Sequence, residues 1–465
     1  MTRPARIGNA QGFWGDRGDA AAELLAREPG LDALTLDYLA EVSLSILALQ
    51  RDRDPALGYA RDVVEVVRSL APYWRDGGAC RLITNAGGLN PEGCARACAE
   101  ELRQAGAPPM TVGVVDGDDV LATVRDLAGL GEAADPLRNL DTGEPIATVL
   151  DRLVTANAYL GAAPIVEALN RGAQIVITGR VADPSLTVAP VVRHFGWDLN
   201  DLDRVAGATV AGHLIECGTQ VTGGIATDWL DIPDPAHIGF PIVEVDADGS
   251  CVVTKPPGTG GRVDARTVTE QLLYEIGDPD NYLSPDATVS FLGLSVEDLG
   301  SDRVRVRGAQ GRPAPPSYKV SATYRDGYRA QGMLTIYGRH AAAKASRCGE
   351  IVLWRVREAG YPLREVTVER LGAGDAVPGV PSSVDRDALM EVVLRVAVAD
   401  PSREAVERFS KELMPLITSG PQGITGYSEG RPRVHPVFRY WPSLVDCDRV
   451  RPRVTLVEAT ADATE

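Results

Sequence analysis

Between Thr178 and Gly224 the chain gathers an unusual density of side chains capable of chemistry: Arg180 and Asp183 behind an apolar run, then His213, Glu216 and Cys217 ahead of Gly223-Gly224. His213 and Glu216 are three residues apart, so on a helix they share a face. A carboxylate beside an imidazole holds its tautomer and raises its basicity, which suits acid and base work on an α-proton or a β-hydroxyl. The alternative is a hydrogen-bonded pair at a buried turn. Cys217 reads either as a nucleophile or, more commonly for its type, as a small buried apolar residue. Arg180 can take a carboxylate or phosphate through a bidentate pair, while Asp183 before Pro184 either serves the chemistry or caps the next helix.

Other candidates lie outside that stretch. Asp37 and Asp116 stand at the ends of apolar runs, as catalytic or turn residues, and Asn85 and Asn90 bracket the loop NAGGLN. The segment Lys255-Pro-Pro-Gly258-Thr259-Gly260-Gly261-Arg262 joins a cation, a hydroxyl and backbone N–H groups ahead of a helix, which suits a diphosphate such as that of CoA. It lacks the spacing of an ATP-hydrolysing phosphate loop, and a rigid connecting loop is its alternative reading. The expected catalytic set is therefore His213, Glu216, Asp183 and Asp37. The expected substrate contacts are Asn85, Asn90, Asp116, Arg180, Lys255, Gly258, Thr259, Gly260 and Gly261. No metal site is expected, because the five histidines are scattered and no paired C-x-x-C occurs. A Mg²⁺ held through water by Asp37, Asp116 or Asp183 would leave no sequence signature.

The elements that must position these residues follow a repeated order. Apolar runs at residues 5–9, around Leu36, at 81–84, at 110–116 and at 175–177 alternate with helical patterns, and polar residues cluster where the runs end. That order predicts an α/β fold with an open, mostly parallel Rossmann-like sheet over residues 1–230, ligands collecting beyond the carboxyl ends of the strands. TANAYLGAAPIVEALNRGA reads as helical. The Pro- and Asp-rich stretch near residues 228–240 marks a boundary. Beyond it a hairpin around Asp248-Gly249 and several alternating runs predict a second, α+β domain over residues 236–465 with antiparallel strands.

Composition bounds the rest. The 465 residues are 44% hydrophobic and 24% charged, with a formal net charge of -17 spread along the chain, so nonspecific nucleic-acid binding is excluded and anionic membranes are not a partner. No run of apolar residues is long enough to cross a membrane and the N-terminus lacks a signal-peptide core, so a cytoplasmic protein with reduced thiols is expected.

NAGGLNP at Asn85–Pro91, ITGRVADPSLTVAP at Ile177–Pro190, AGHLIECGTQVTGG at Ala211–Gly224, TKPPGTGG at Thr254–Gly261 and TVTEQLLYEIGDP at Thr267–Pro279 together resemble the AtuA family of acyclic terpene utilisation proteins. Members of that family sit among genes for the breakdown of citronellol and geraniol through CoA thioesters, and some are fused to a carboxyltransferase-like partner. The resemblance implies an enzyme acting on an acyl thioester, with CoA or a carrier phosphopantetheine as the handle; the sequence itself requires no further cofactor, and a homo-oligomer is expected. The reaction implied is of lyase type, a hydration, dehydration or carbon–carbon cleavage. The fusions leave a second implication open, a noncatalytic scaffold subunit of an acyl-CoA carboxylase.

Overall fold

Short apolar runs form the first strands of the computed structural model, which describes residues 3–129, 137–425 and 430–459: β1 (Ala5–Asn9), β2 (Ala33–Leu36), β3 (Arg81–Thr84), β4 (Met110–Asp116), β5 (Leu153–Ala158), β6 (Ile175–Thr178), β7 (Ile242–Val245) and β8 (Cys251–Thr254). Then come β9 (Tyr282–Leu283), β10 (Thr288–Ser290), β11 (Ser295–Asp298), β12 (Val304–Arg307), β13 (Gln310–Arg312) and the long β14 (Ser317–Tyr337). The last are β15 (Glu365–Leu371), β16 (Glu391–Asp400), β17 (Ile424–Thr425), β18 (His435–Asp446) and β19 (Arg453–Ala459).

In spatial order β1, β2, β3, β6 and β4 form a parallel core, as the alternation of runs and helices predicts. Strand β2 and strand β6 are buried at every position, which is why β6 reads as an apolar run over Ile175–Ile177. On both flanks the pairing turns antiparallel: β7, β8, β12 and β11 extend the sheet from β1, and β19 lies against β4. The fold is mixed α/β around one large mixed sheet, a correction to the mostly parallel Rossmann-like sheet expected. In a doubly wound sheet a parallel strand would occupy the other side of β1; here the hairpin β7–β8 takes that edge.

The same hairpin moves the division of the chain. One compact unit runs to Thr323 and resumes at Tyr440, and the other is Tyr324–Arg439, so residues 242–312 belong with the first unit rather than with a domain starting at 236. The chain passes between units within β14 and returns within β18. A further difference is local. Residues 155–158, read as part of a helix, belong to β5 (Leu153–Ala158), and the helix begins only at Ala163. Pairing with β14 overrides propensity there: the Tyr159 N–H donates to the Lys319 carbonyl at 2.9 Å and the Thr155 and Thr323 hydroxyls share a bond of 2.7 Å.

Helices cover the large sheet through faces of helical period. In Asp62–Arg75, for example, Val63, Val66, Val67, Leu70, Ala71 and Trp74 are buried. The smaller unit packs the helices Ala341–Glu358 and Arg403–Glu412 on a sheet of β15, β16, β14 and β17, with Val392, Leu394, Val396 and Val398 alternating into its core. No described helix is long and apolar enough to cross a membrane.

Candidate active site

The parallel strands β1, β2, β3 and β6 end in polar residues along one edge of the sheet: Asn9, Asp37, Asn85 and, past Gly179, Arg180. Asn9 Nδ2 donates to the carbonyls of Ile215 at 2.7 Å and Glu216 at 3.1 Å, fastening the end of the helix Leu202–Glu216 over that edge. Glycines bring this helix close to its neighbours. A Cβ on Gly207 would collide with the Gly249 carbonyl, and one on Gly212 would lie 2.7 Å from the Pro184 carbonyl. The second contact sets Asp183-Pro184 against the turn that carries His213 and Glu216.

The result is a cavity of about 350 Å³ in the larger unit, lined by Arg180, Asp183, His213 and Glu216 together with Glu41, Tyr159, Tyr282 and Lys319. Arg180 is 2% exposed. Its Nη1 donates to the Leu39 carbonyl and lies 3.1 Å from Asp183 Oδ1, and its guanidinium carbon is 4.1 Å from the centre of the Tyr159 ring. Its backbone N–H donates to Asp118 Oδ2 at 2.8 Å, an approach open only because Gly179 has no Cβ to block that carboxylate.

Electrostatically the site is acidic around one guanidinium. Burial pushes the Asp37 carboxyl up to about 7, against the pull of Arg180 and a 2.7 Å bond from Asn85 Nδ2. Burial likewise holds Asp183 well above the usual carboxylate range despite Arg180, with repulsion from Asp37, Glu216 and Glu41 adding to it. Asp37 and Asp183 share one buried cation, and burial shifts both toward their protonated forms. Arg180 itself is shifted further toward its charged form by its acidic neighbours, although burial alone opposes this.

His213 is 2% exposed and both of its nitrogens are engaged. Nε2 lies 3.0 Å from the Gln271 carbonyl, which can only accept, so Nε2 carries a proton. Nδ1 is 3.0 Å from Glu216 Oε1, and one proton is therefore shared between imidazole and carboxyl. Tyr282 and Phe291 pack on the ring with centroids 5.9 Å and 5.8 Å away. Glu216 Oε2, buried, has no hydrogen-bond partner. The beginning helix at Ser185 receives no side-chain cap from Asp183, which leaves that carboxyl to the cavity. Burial drives the Cys217 thiol far up, so it is held protonated.

The other expected residues are placed elsewhere. Asp37 and Asn85 sit behind the cavity wall rather than in its lining, where Asn85 Oδ1 also accepts from the Tyr38 N–H at 2.7 Å. Asn90 caps the helix Pro91–Gln104 through the Gly93 N–H at 2.9 Å and donates to the Ala56 carbonyl at 3.0 Å. Asp116 accepts from Arg453 Nε at 2.7 Å across the β4–β19 edge. The loop Lys255–Arg262 closes on itself: Lys255 Nζ donates to the Thr259 carbonyl at 2.9 Å and pairs with Asp302 at 3.0 Å. The N–H groups of Thr259, Gly260, Gly261 and Arg262 all donate to backbone carbonyls, and Gly258 to Gly261 are not brought to the cavity. A cradle whose donors are already paired has few to offer a phosphate.

Glu41, Tyr159, Tyr282 and Lys319 were not legible as site residues. They come from loops and strand ends without a local motif, and only the family strings around residue 279 run near one of them. Among the described residues no three His, Cys, Asp or Glu side chains converge closely enough to hold a metal ion; Asp37, Asp116 and Asp183 form no such group. A model of the acyclic terpene utilisation family protein AtuA matches residues 5–456, so the chain belongs to that family. No curated protein gives a match.

Proposed function

We propose, taking membership of the acyclic terpene utilisation family as the premise, that the protein is an enzyme adding or removing water across the α and β carbons of an acyl thioester, borne by CoA or a carrier phosphopantetheine. In the dehydration direction Glu216 Oε2 takes the α-proton, and the C–H electron pair forms the double bond as the β C–O bond breaks. Asp183, shifted toward its neutral form by burial, gives its proton to the leaving hydroxyl, which departs as water. His213 holds Glu216 in place through the contact between Nδ1 and Oε1. Arg180 and Lys319 supply positive charge near the thioester oxygen as negative charge develops there. Tyr159, Tyr282 and Leu283 offer apolar wall for an acyl chain.

The observation that carries this reading is the unpartnered Glu216 Oε2 in a cavity that also holds a carboxyl shifted toward its neutral form. Two carboxyl groups in unlike environments are what a proton removal coupled to a proton donation needs. The test is turnover by the purified protein of a panel of β-hydroxyacyl- and α,β-unsaturated acyl-CoAs, followed at the thioester enoyl absorbance. Glu216→Gln and Asp183→Asn should each lower kcat by about 100-fold or more with the fold intact by circular dichroism. No turnover together with no heat of acyl-CoA binding would sink the reading and leave the noncatalytic subunit.

A further inference from the structure

The smaller unit holds a groove of about 460 Å³ that the proposed reaction does not use, with Arg329, Arg431, Arg433 and His435 in its lining beside Met333 and Glu365. Most guanidiniums of this unit are matched. Arg364 and Arg439 meet Asp326, Arg370 and Arg386 meet Asp375, Arg395 meets Glu369 and Arg408 meets Glu412. Arg329, Arg431 and Arg433 meet no carboxylate within 4.0 Å among the described residues. Glu365, in the same groove, is already taken by Arg439 and by Arg364 at 3.3 Å.

Arg329, Arg431 and Arg433 are exposed, and the segment that carries two of them is set by a close packing contact. Arg431 and Arg433 flank Pro432, whose Cγ lies 2.8 Å from where a Cβ on Gly332 would stand. The missing side chain lets that segment settle on β14 beside Arg329. Three like charges sharing one groove repel one another, in a chain whose net charge is -17, and an anion among them relieves that repulsion. A guanidinium fork matches phosphate oxygens in pairs, and three forks ask for more oxygens than a single carboxylate has.

The geometry points to a binding site for an organic diphosphate on the smaller unit. Two linked phosphates bring enough oxygens for three forks, and the groove has volume to spare for an organic part lying against Met333, Ala397 and Ala399. A free nucleotide and CoA both carry that group, and the shared chemistry is the diphosphate.

Calorimetry on the full chain with pyrophosphate, ADP and CoA tests the assignment. Pyrophosphate is expected to bind, more weakly as salt is raised, and Arg431→Ala with Arg433→Ala should weaken it by roughly tenfold or more. Arg431→Lys with Arg433→Lys keeps the charge but loses the forks, and an intermediate loss is expected. Lys411→Ala, an exposed charge outside the groove, should bind as the parent does. CoA binding tighter than ADP marks the thioester handle as the source, and equal binding marks nucleotides in general. No heat with any of the three probes, or unaltered binding in the double alanine variant, overturns the assignment. Glu216→Gln should leave pyrophosphate binding unchanged, so a failure here is separable from a failure of the proposed reaction.

Discussion

Replacing Asp37 with Asn tests whether burial, rather than the nearby arginine, governs the carboxyl cluster. Asp37 Oδ1 accepts from Asn85 Nδ2 at 2.7 Å and from the Leu39 N–H at 3.3 Å, and an Asn side chain keeps that oxygen. The substitution thus removes a titrating group while retaining its bonds. Burial outweighs Arg180 and pushes the carboxyl from its ordinary 3.8 up to about 7. The folded protein therefore holds a proton that the unfolded chain has released, and stability falls as pH rises from near 4 to about 7, with no further change above. At 1.36 kcal/mol for each pH unit of that window, the loss is roughly 4 kcal/mol. Urea denaturation of parent and variant at a series of pH values across this range is the assay. The variant should gain several kcal/mol on the parent between about pH 4 and about pH 8. Parallel curves would refute the reasoning. A variant that falls behind the parent as pH rises would mean that attraction to Arg180 exceeds the cost of burial.

Three further outcomes follow from the geometry. Cys217→Ser should change acyl-CoA turnover by less than about twofold, because a thiol driven far up by burial is no nucleophile near neutrality; a loss of a hundredfold would restore it as one. Gly207→Ala puts a methyl group into the Gly249 carbonyl and should cost about 1–3 kcal/mol in thermal or urea unfolding, whereas no loss would show that the helix and hairpin do not touch there. Lys255→Met breaks the pair with Asp302 and the bond to the Thr259 carbonyl, so stability should drop by roughly 1–3 kcal/mol while KM for an acyl-CoA stays unaltered; a large rise in KM would return the loop to the substrate.

The parallel core was legible because buried strands read as short apolar runs, Ile175–Ile177 among them, and helical periods such as that of Asp62–Arg75 stand between them. The i, i+3 pairing of His213 with Glu216 was legible for a similar reason: the interaction closes within one turn. The Rossmann-like sheet was over-read, since nothing local in the hairpin β7–β8 says that it will pair with β1, more than two hundred positions earlier in the chain. The internal bonding of the Lys255 loop was not legible, because glycines and a lysine look alike whether their donors are free or taken.

The candidate groups and the local elements that carry them are thus set locally along the chain, as backbone hydrogen bonding and periodic burial operate over a few residues. Tertiary structure alone decided that the Gln271 carbonyl claims His213 Nε2, that Leu39 receives Arg180, and that Glu216 keeps an oxygen free beside Asp183. The proton affinity and the free valences of a side chain depend on neighbours brought from distant parts of the chain, and those neighbours exist only after folding.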